Sequence, residues 1–98
     1  MISLRLSREA RRDLQAIWNY TAQAWDEEQA EAYVRALHAS MARLREFPEL
    51  GPPHATRVAQ LRKLASGHHL IFYLVEPEEI KVVRVLHERT DVTAQLGD

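Results

Sequence analysis

Apolar and polar residues alternate at the start of the chain: Ile2, Leu4 and Leu6 stand against Ser3, Arg5 and Ser7 in ISLRLS. A period of two marks a strand with one buried face, so a strand is predicted over residues 2–6. The period then lengthens. Ala10, Leu14, Ile17, Trp18, Thr21 and Trp25 recur every three or four positions, with Arg11, Arg12, Asp13, Gln15 and Asn19 on the other side, which predicts an amphipathic helix. Ser7 is placed to accept a hydrogen bond from a free amide of its first turn, and Glu9 suits the positive end of the helix dipole. A second start signal follows in WDEEQA, where Asp26 is the cap, Gln29 stands three residues on, and Glu27 and Glu28 suit the dipole. Ala30, Tyr33, Val34, Leu37, Met41, Leu44 and Phe47 carry the second stripe up to Pro48, whose ring and missing amide hydrogen predict an end near Phe47. Two helices joined almost without a loop form an antiparallel hairpin. Their aromatic residues Trp18, Tyr20, Trp25 and Tyr33 are assigned to its core by spacing and burial preference.

The segment PELGPPHATRVAQ has no periodicity, and its glycine and prolines predict a surface connection. Beyond it QLRKLA is short and mixed, HHLIFYLVE is almost continuously apolar, and EIKVVRVLH is rich in valine and set off by the turn EPEE. These predict antiparallel strands near residues 60–65, 68–76 and 79–87. Both parities of Leu70 to Val75 are apolar, so this run is expected at the centre of the sheet, covered on both faces. Helices on one face would leave the other partly open, and an open apolar face is a candidate binding surface.

Length adds that all 98 residues form one domain, since a single core serves chains of this size. A net charge of −1 argues against a protein that holds bulk nucleic acid by charge alone, and no direct sequence-specific nucleic-acid binding is expected. Cysteine is absent, which excludes disulfides, a thiol nucleophile and cysteine-based zinc sites. The N-terminus has no apolar signal core and no run approaches the roughly 18 apolar residues of a membrane helix, so a soluble cytoplasmic protein is expected.

No phosphate loop, dinucleotide fingerprint, serine elbow or zinc-binding helix occurs, and no cofactor is expected. The histidines His38, His54, His68, His69 and His87 lack metal-ligand spacing; His68 and His69, adjacent on a strand, should face opposite ways. The remaining candidates are Arg57, Arg62, Lys63, Arg84, His87 and Arg89, crowded in the C-terminal half. Cations on a sheet can hold a phosphate while an imidazole moves a proton, and the same side chains can equally form a solvated rim. Arg84, between Val83 and Val85, needs a carboxylate such as Asp13 or Glu88, or an open face.

The order of elements, together with DLQAIWNYTAQAW on helix one, QAEAY opening helix two, P-x-x-G after it, H-x-I-F-Y in the central strand and RVLHER-x-D at the end, resembles the ParE toxins of the RelE/ParE superfamily, from about Leu4 to Leu96. The resemblance implies a RelE-like α+β fold, β-α-α-β-β-β, with the helix hairpin on one face of a small twisted, mainly antiparallel sheet. It further implies a toxin of a type II toxin-antitoxin module that blocks replication by inhibiting DNA gyrase, a protein inhibitor rather than an enzyme. Its implied partner is a cognate ParD-type antitoxin that neutralises it in a hetero-oligomer. On this reading Arg57, Arg62, Leu64, Phe72, Leu74, Arg84, His87 and Arg89 are the expected antitoxin- or target-binding residues, with Arg84, His87 and Arg89 at the functional edge. The tail from Asp91 to Asp98 should form a turn or brief helix beside it. The superfamily also contains ribosome-dependent mRNA nucleases, for which Arg62, Arg84 and His87 would be the catalytic set. The absence of a tyrosine after Tyr73 and the non-basic tail DVTAQLGD depart from that pattern.

Overall fold

The computed structural model describes residues 2–96. The chain runs β1 (Ser3–Leu6), α1 (Arg8–Ala24), α2 (Glu27–Arg43), β2 (Pro53–Ala55), β3 (Gln60–Ser66), β4 (His69–Glu76), β5 (Glu79–His87) and α3 (Val92–Leu96). The sheet order is β1-β5-β4-β3-β2, with β1 parallel to β5 and every other pairing antiparallel. The apolar run of β4 therefore lies at the centre, as its pattern predicts.

Both helix starts follow from local chemistry. Ser7 Oγ accepts from the Ala10 amide at 3.0 Å and donates to the Val83 carbonyl at 2.7 Å, which pins α1 to β5 as it caps the helix. Asp26 Oδ1 accepts from the Gln29 amide at 2.7 Å. α2 ends at Arg43, earlier than the predicted Phe47: the amides of Leu44, Arg45 and Glu46 turn to carbonyls three residues back, tightening the last turn before Pro48 forces a stop.

The hairpin buries Ala10, Leu14, Leu37, Met41 and Leu44 against Ile71, Tyr73, Ile80, Val82 and Val85 of the sheet. Tyr73 is fully buried, and its hydroxyl donates to the Pro48 carbonyl at 2.8 Å while accepting the Gly51 amide at 2.9 Å. The P-x-x-G motif is thus a clamp on the central strand. Gly51 belongs to it because a Cβ there would lie 2.5 Å from the Lys63 carbonyl oxygen.

Two expectations need correction. The connection after α2 contains a strand: β2 pairs with β3 at the sheet edge, where the missing amide hydrogen of Pro53 breaks no interior ladder. The second face of the sheet is also less open than predicted. Leu61, Phe72 and Leu86 form a buried cluster there, covered in part by Val92 and Leu96 of α3, and the His54 ring stands edge-on to Phe72 at 5.3 Å. The brief helix expected in the tail exists over Val92–Leu96; residues 97–98 lie outside the described residues.

Candidate functional site

β1 covers β5 only from Glu79 to Val82, so beyond Val82 the edge of β5 faces helix α1 instead of a strand. Asp13 supplies the missing partner. Its Oδ2 accepts the Val85 amide at 2.9 Å and Arg84 Nε at 2.8 Å, while Oδ1 accepts Arg84 Nη2 at 3.0 Å. Arg84 Nη1 also donates to Gln95 Oε1 at 3.2 Å, linking α1, β5 and α3. The hydrogen bonds that Arg84 donates to Asp13 hold the guanidinium pKa above its ordinary value. Of the two carboxylates named for Arg84, the structure selects Asp13.

Above this junction lies a groove of about 620 Å³ between the C-terminal half of α1, the start of α2 and the ends of β4 and β5. Ile17 and Val85 contribute apolar surface, and Tyr20, Trp25 and Tyr33 supply aromatic walls. Tyr20 is 74% exposed and Trp25 77%, so neither belongs to the core to which its spacing assigned it. The reason is geometric: Trp25 is the C-cap of α1, with φ −128° and ψ −87°, and helical periodicity no longer governs where its side chain points.

Three histidines line one end of the groove. His68 lies in the β3–β4 turn and not on the strand, so it and His69 both border the groove, contrary to the opposite facing expected of strand neighbours. His69 pairs with His87 across the ladder; their rings meet edge to face at 5.2 Å, and His68 stacks on His87 at 6.4 Å. The Tyr33 hydroxyl accepts the His68 amide at 3.0 Å and shares a hydrogen bond with His69 Nδ1 at 2.5 Å. His87 Nδ1 accepts the Arg89 amide at 3.1 Å. The bond from Arg89 requires an unprotonated Nδ1 on His87. Burial, followed by the charges of His87 and His68, lowers the His69 pKa. Among the described residues no group of three or more His, Asp or Glu is arranged to hold a metal ion.

The residues singled out in the sequence do not form one surface. His87 lines the groove and Arg89 follows it in the exposed turn after β5. Arg62 pairs with Tyr73 and shares its hairpin-facing side, where Nη1 donates to the Gly51 carbonyl at 2.7 Å. Arg84 pairs with Phe72, which belongs to the cluster on the opposite face. The trio Arg62, Arg84 and His87 is therefore split across the sheet, with both guanidinium groups engaged inside the chain. Leu64 packs on the hairpin core, Leu74 packs on the second-face cluster, and Phe72 is fully buried. Arg57 sits in the exposed turn between β2 and β3. Sequence reasoning missed Tyr20, Trp25, Tyr33 and His69; the signal available was that Trp25 directly precedes the cap residue Asp26 and so stands at the hairpin tip.

Comparison with known proteins places this geometry. Residues 4–92 match the family described as ParE toxin of type II toxin-antitoxin system, parDE. The chain is 42% identical over 93 residues to Toxin ParE1 of Caulobacter vibrioides, covering 95% of this chain and 96% of that one. It is 40% identical to Toxin ParE1 of Mycobacterium tuberculosis (93% and 94% covered) and 34% identical to Toxin ParE of Escherichia coli (95% and 91% covered). The fold matches a solved chromosomal ParDE system from P. aeruginosa with TM-score 0.77 and 24% identity over 89% of this chain and 96% of that one. It also matches the toxin-antitoxin complex RelBE2 from Mycobacterium tuberculosis with TM-score 0.66 and 19% identity, over 88% and 96%. The chain belongs to the ParE toxin family of type II toxin-antitoxin systems, on the RelE-like α+β fold.

Proposed function

We propose that this chain arrests replication by binding DNA gyrase, without turning over a substrate, and that a ParD-type antitoxin neutralises it by laying a segment against the chain. The observation that carries the reading is the exposed aromatic groove beside the β5 edge, set against the dispersal of Arg62, Arg84 and His87 over two faces of the sheet. A nuclease needs its phosphate clamp and proton carrier converging on one phosphodiester. A binding protein needs accessible aromatic anchors, which Tyr20 and Trp25 provide. The names of its relatives and the ParDE match support the same reading.

The test is the order of events after the chain is expressed alone in bacteria. Incorporation of labelled thymidine should stop before incorporation of labelled methionine, and co-expression of a ParD-type antitoxin should restore both. Methionine incorporation failing first, with mRNA cut on ribosomes, would overturn the gyrase reading in favour of the RelE-type nuclease.

A further inference from the structure

The groove is close to electrically neutral by construction. Asp13 enters its lining, but that carboxylate is bound by Arg84 and the Val85 amide. The other groups facing His69 are the Tyr33 phenol from α2, His68 from the β3–β4 turn, His87 from β5 and Glu88 just beyond it. Glu88 Oε1 lies 3.3 Å from His68 Nδ1, at the exposed rim. A volume of about 620 Å³ with apolar and aromatic walls therefore suits an uncharged side chain and penalises a charged one.

The His87 imidazole is wired for the neutral form. A proton on His87 Nδ1 would face the Arg89 amide donor to donor across 3.1 Å, so that bond must break. His69 Nδ1 shares a hydrogen bond with the Tyr33 hydroxyl, whose oxygen also receives the His68 amide, so the His69 ring is fixed in place beside His87. Cations on both rings would repel across a centroid separation of 5.2 Å, at the end of a groove that binding would dry.

We propose that the groove seats an uncharged aromatic or aliphatic side chain from the apolar face of the antitoxin's toxin-binding segment, and that this seat exists only while His69 and His87 are neutral, so that acid releases the segment. The proposal rests on the reading that a ParD-type antitoxin neutralises this chain and adds where an anchor lodges and what regulates it. The lowered pKa of His69 has the direction expected of a ring held neutral by its surroundings.

The test uses the whole chain and N-acetyl-tryptophanamide, a neutral indole, as probe. Titration at pH 7.5, followed by NMR, should shift the signals of Trp25, Tyr33 and His69 saturably. At pH 5.0, with folding checked by circular dichroism, binding should weaken about tenfold, because the groove fills only when the rings give up their protons. The double variant His69→Asn/His87→Asn retains an oxygen acceptor near each Nδ1 and should bind the probe equally at both pH values. Absence of binding at millimolar probe, or binding unchanged or tighter at pH 5.0, would overturn the proposal. A purified ParD-type antitoxin should then displace the probe. If the antitoxin binds the chain while the probe stays in place, the proposed occupant is wrong and neutralisation occurs elsewhere on the chain. If the antitoxin does not bind at all, the neutralisation reading fails with it, whatever the probe does.

Discussion

Replacing Asp13 by alanine removes three interactions at once: two hydrogen bonds from Arg84, at 2.8 and 3.0 Å, and one from the Val85 amide, at 2.9 Å. The side chains of Arg84 and Asp13 are only 22% and 14% exposed, so water reaches the vacated guanidinium poorly. Hydrogen bonds to charged groups contribute about 1.5–3 kcal/mol, and breaking a well-buried ion pair costs about 3–5 kcal/mol. This pair is part-buried, and Gln95 remains a partner for Arg84, so Asp13→Ala is expected to cost about 2–4 kcal/mol. At roughly 4–8 °C per kcal/mol for a chain of this size, the midpoint of thermal unfolding should fall by about 10 °C or more. Urea unfolding followed by circular dichroism gives the free energy directly. Arg84→Met, which keeps the aliphatic stem, should cost less, and the double variant should show a coupling of about 1–3 kcal/mol. A loss below about 0.5 kcal/mol for Asp13→Ala, the scale of an ordinary surface substitution, would refute the view that Asp13 substitutes for a missing strand at the β5 edge.

Other consequences are open to the same instruments. His69 has its folded pKa lowered, mainly by burial, so below the unfolded value of about 6.5 the unfolded chain binds more protons; stability is fully present above that pH and declines as pH falls through the folded pKa. His69→Asn should flatten the decline measured by urea unfolding between pH 8 and pH 5, and an equally steep decline in the variant would contradict the assignment. Tyr73→Phe leaves the Gly51 amide and Pro48 carbonyl without their partner and should cost about 1–3 kcal/mol. Gly51→Ala should destabilise by roughly 2 kcal/mol or more through its close approach to Lys63, and unfolding unchanged from the parent would remove the clamp from the account. Trp25→Ala should leave stability within about 0.5 kcal/mol because the ring is 77% exposed, while weakening antitoxin binding, read by calorimetry, by about 2 kcal/mol or more.

The helix starts, β1, β4 and β5 were legible in the sequence because their determinants are local. Ser7 and Asp26 lie next to the amides they cap, and the period of two or near-continuous apolarity of a strand is written within it. What escaped depends on residues far apart in the chain. Pro53–Ala55 forms a strand because β3 offers it an edge, and nothing in its own three residues announces this. The second face of the sheet looked open because α3, five residues long, is too short to show a stripe, yet Val92 and Leu96 cover part of the face. Basic residues were read as one site because they crowd one third of the chain, whereas strand parity and the bulge at Phe72/Tyr73 distribute Arg62 and Arg84 to different faces. Periodicity assigned Trp25 to the core because it counts through the helix end, which the cap at Asp26, one residue on, marks. The pairing of Arg84 was the exception, since a charge between two valines asks for a carboxylate and Asp13 supplies it.

The most direct test of the proposed activity is a plasmid supercoiling assay with purified gyrase and the antitoxin-free chain, scoring both supercoiled product and linear cleaved DNA. Loss of supercoiling with accumulation of gyrase-linked linear plasmid, reversed by a ParD-type antitoxin, is the result predicted. Normal supercoiling at excess folded chain, together with cleavage of ribosome-bound mRNA that His87→Ala abolishes, would contradict it.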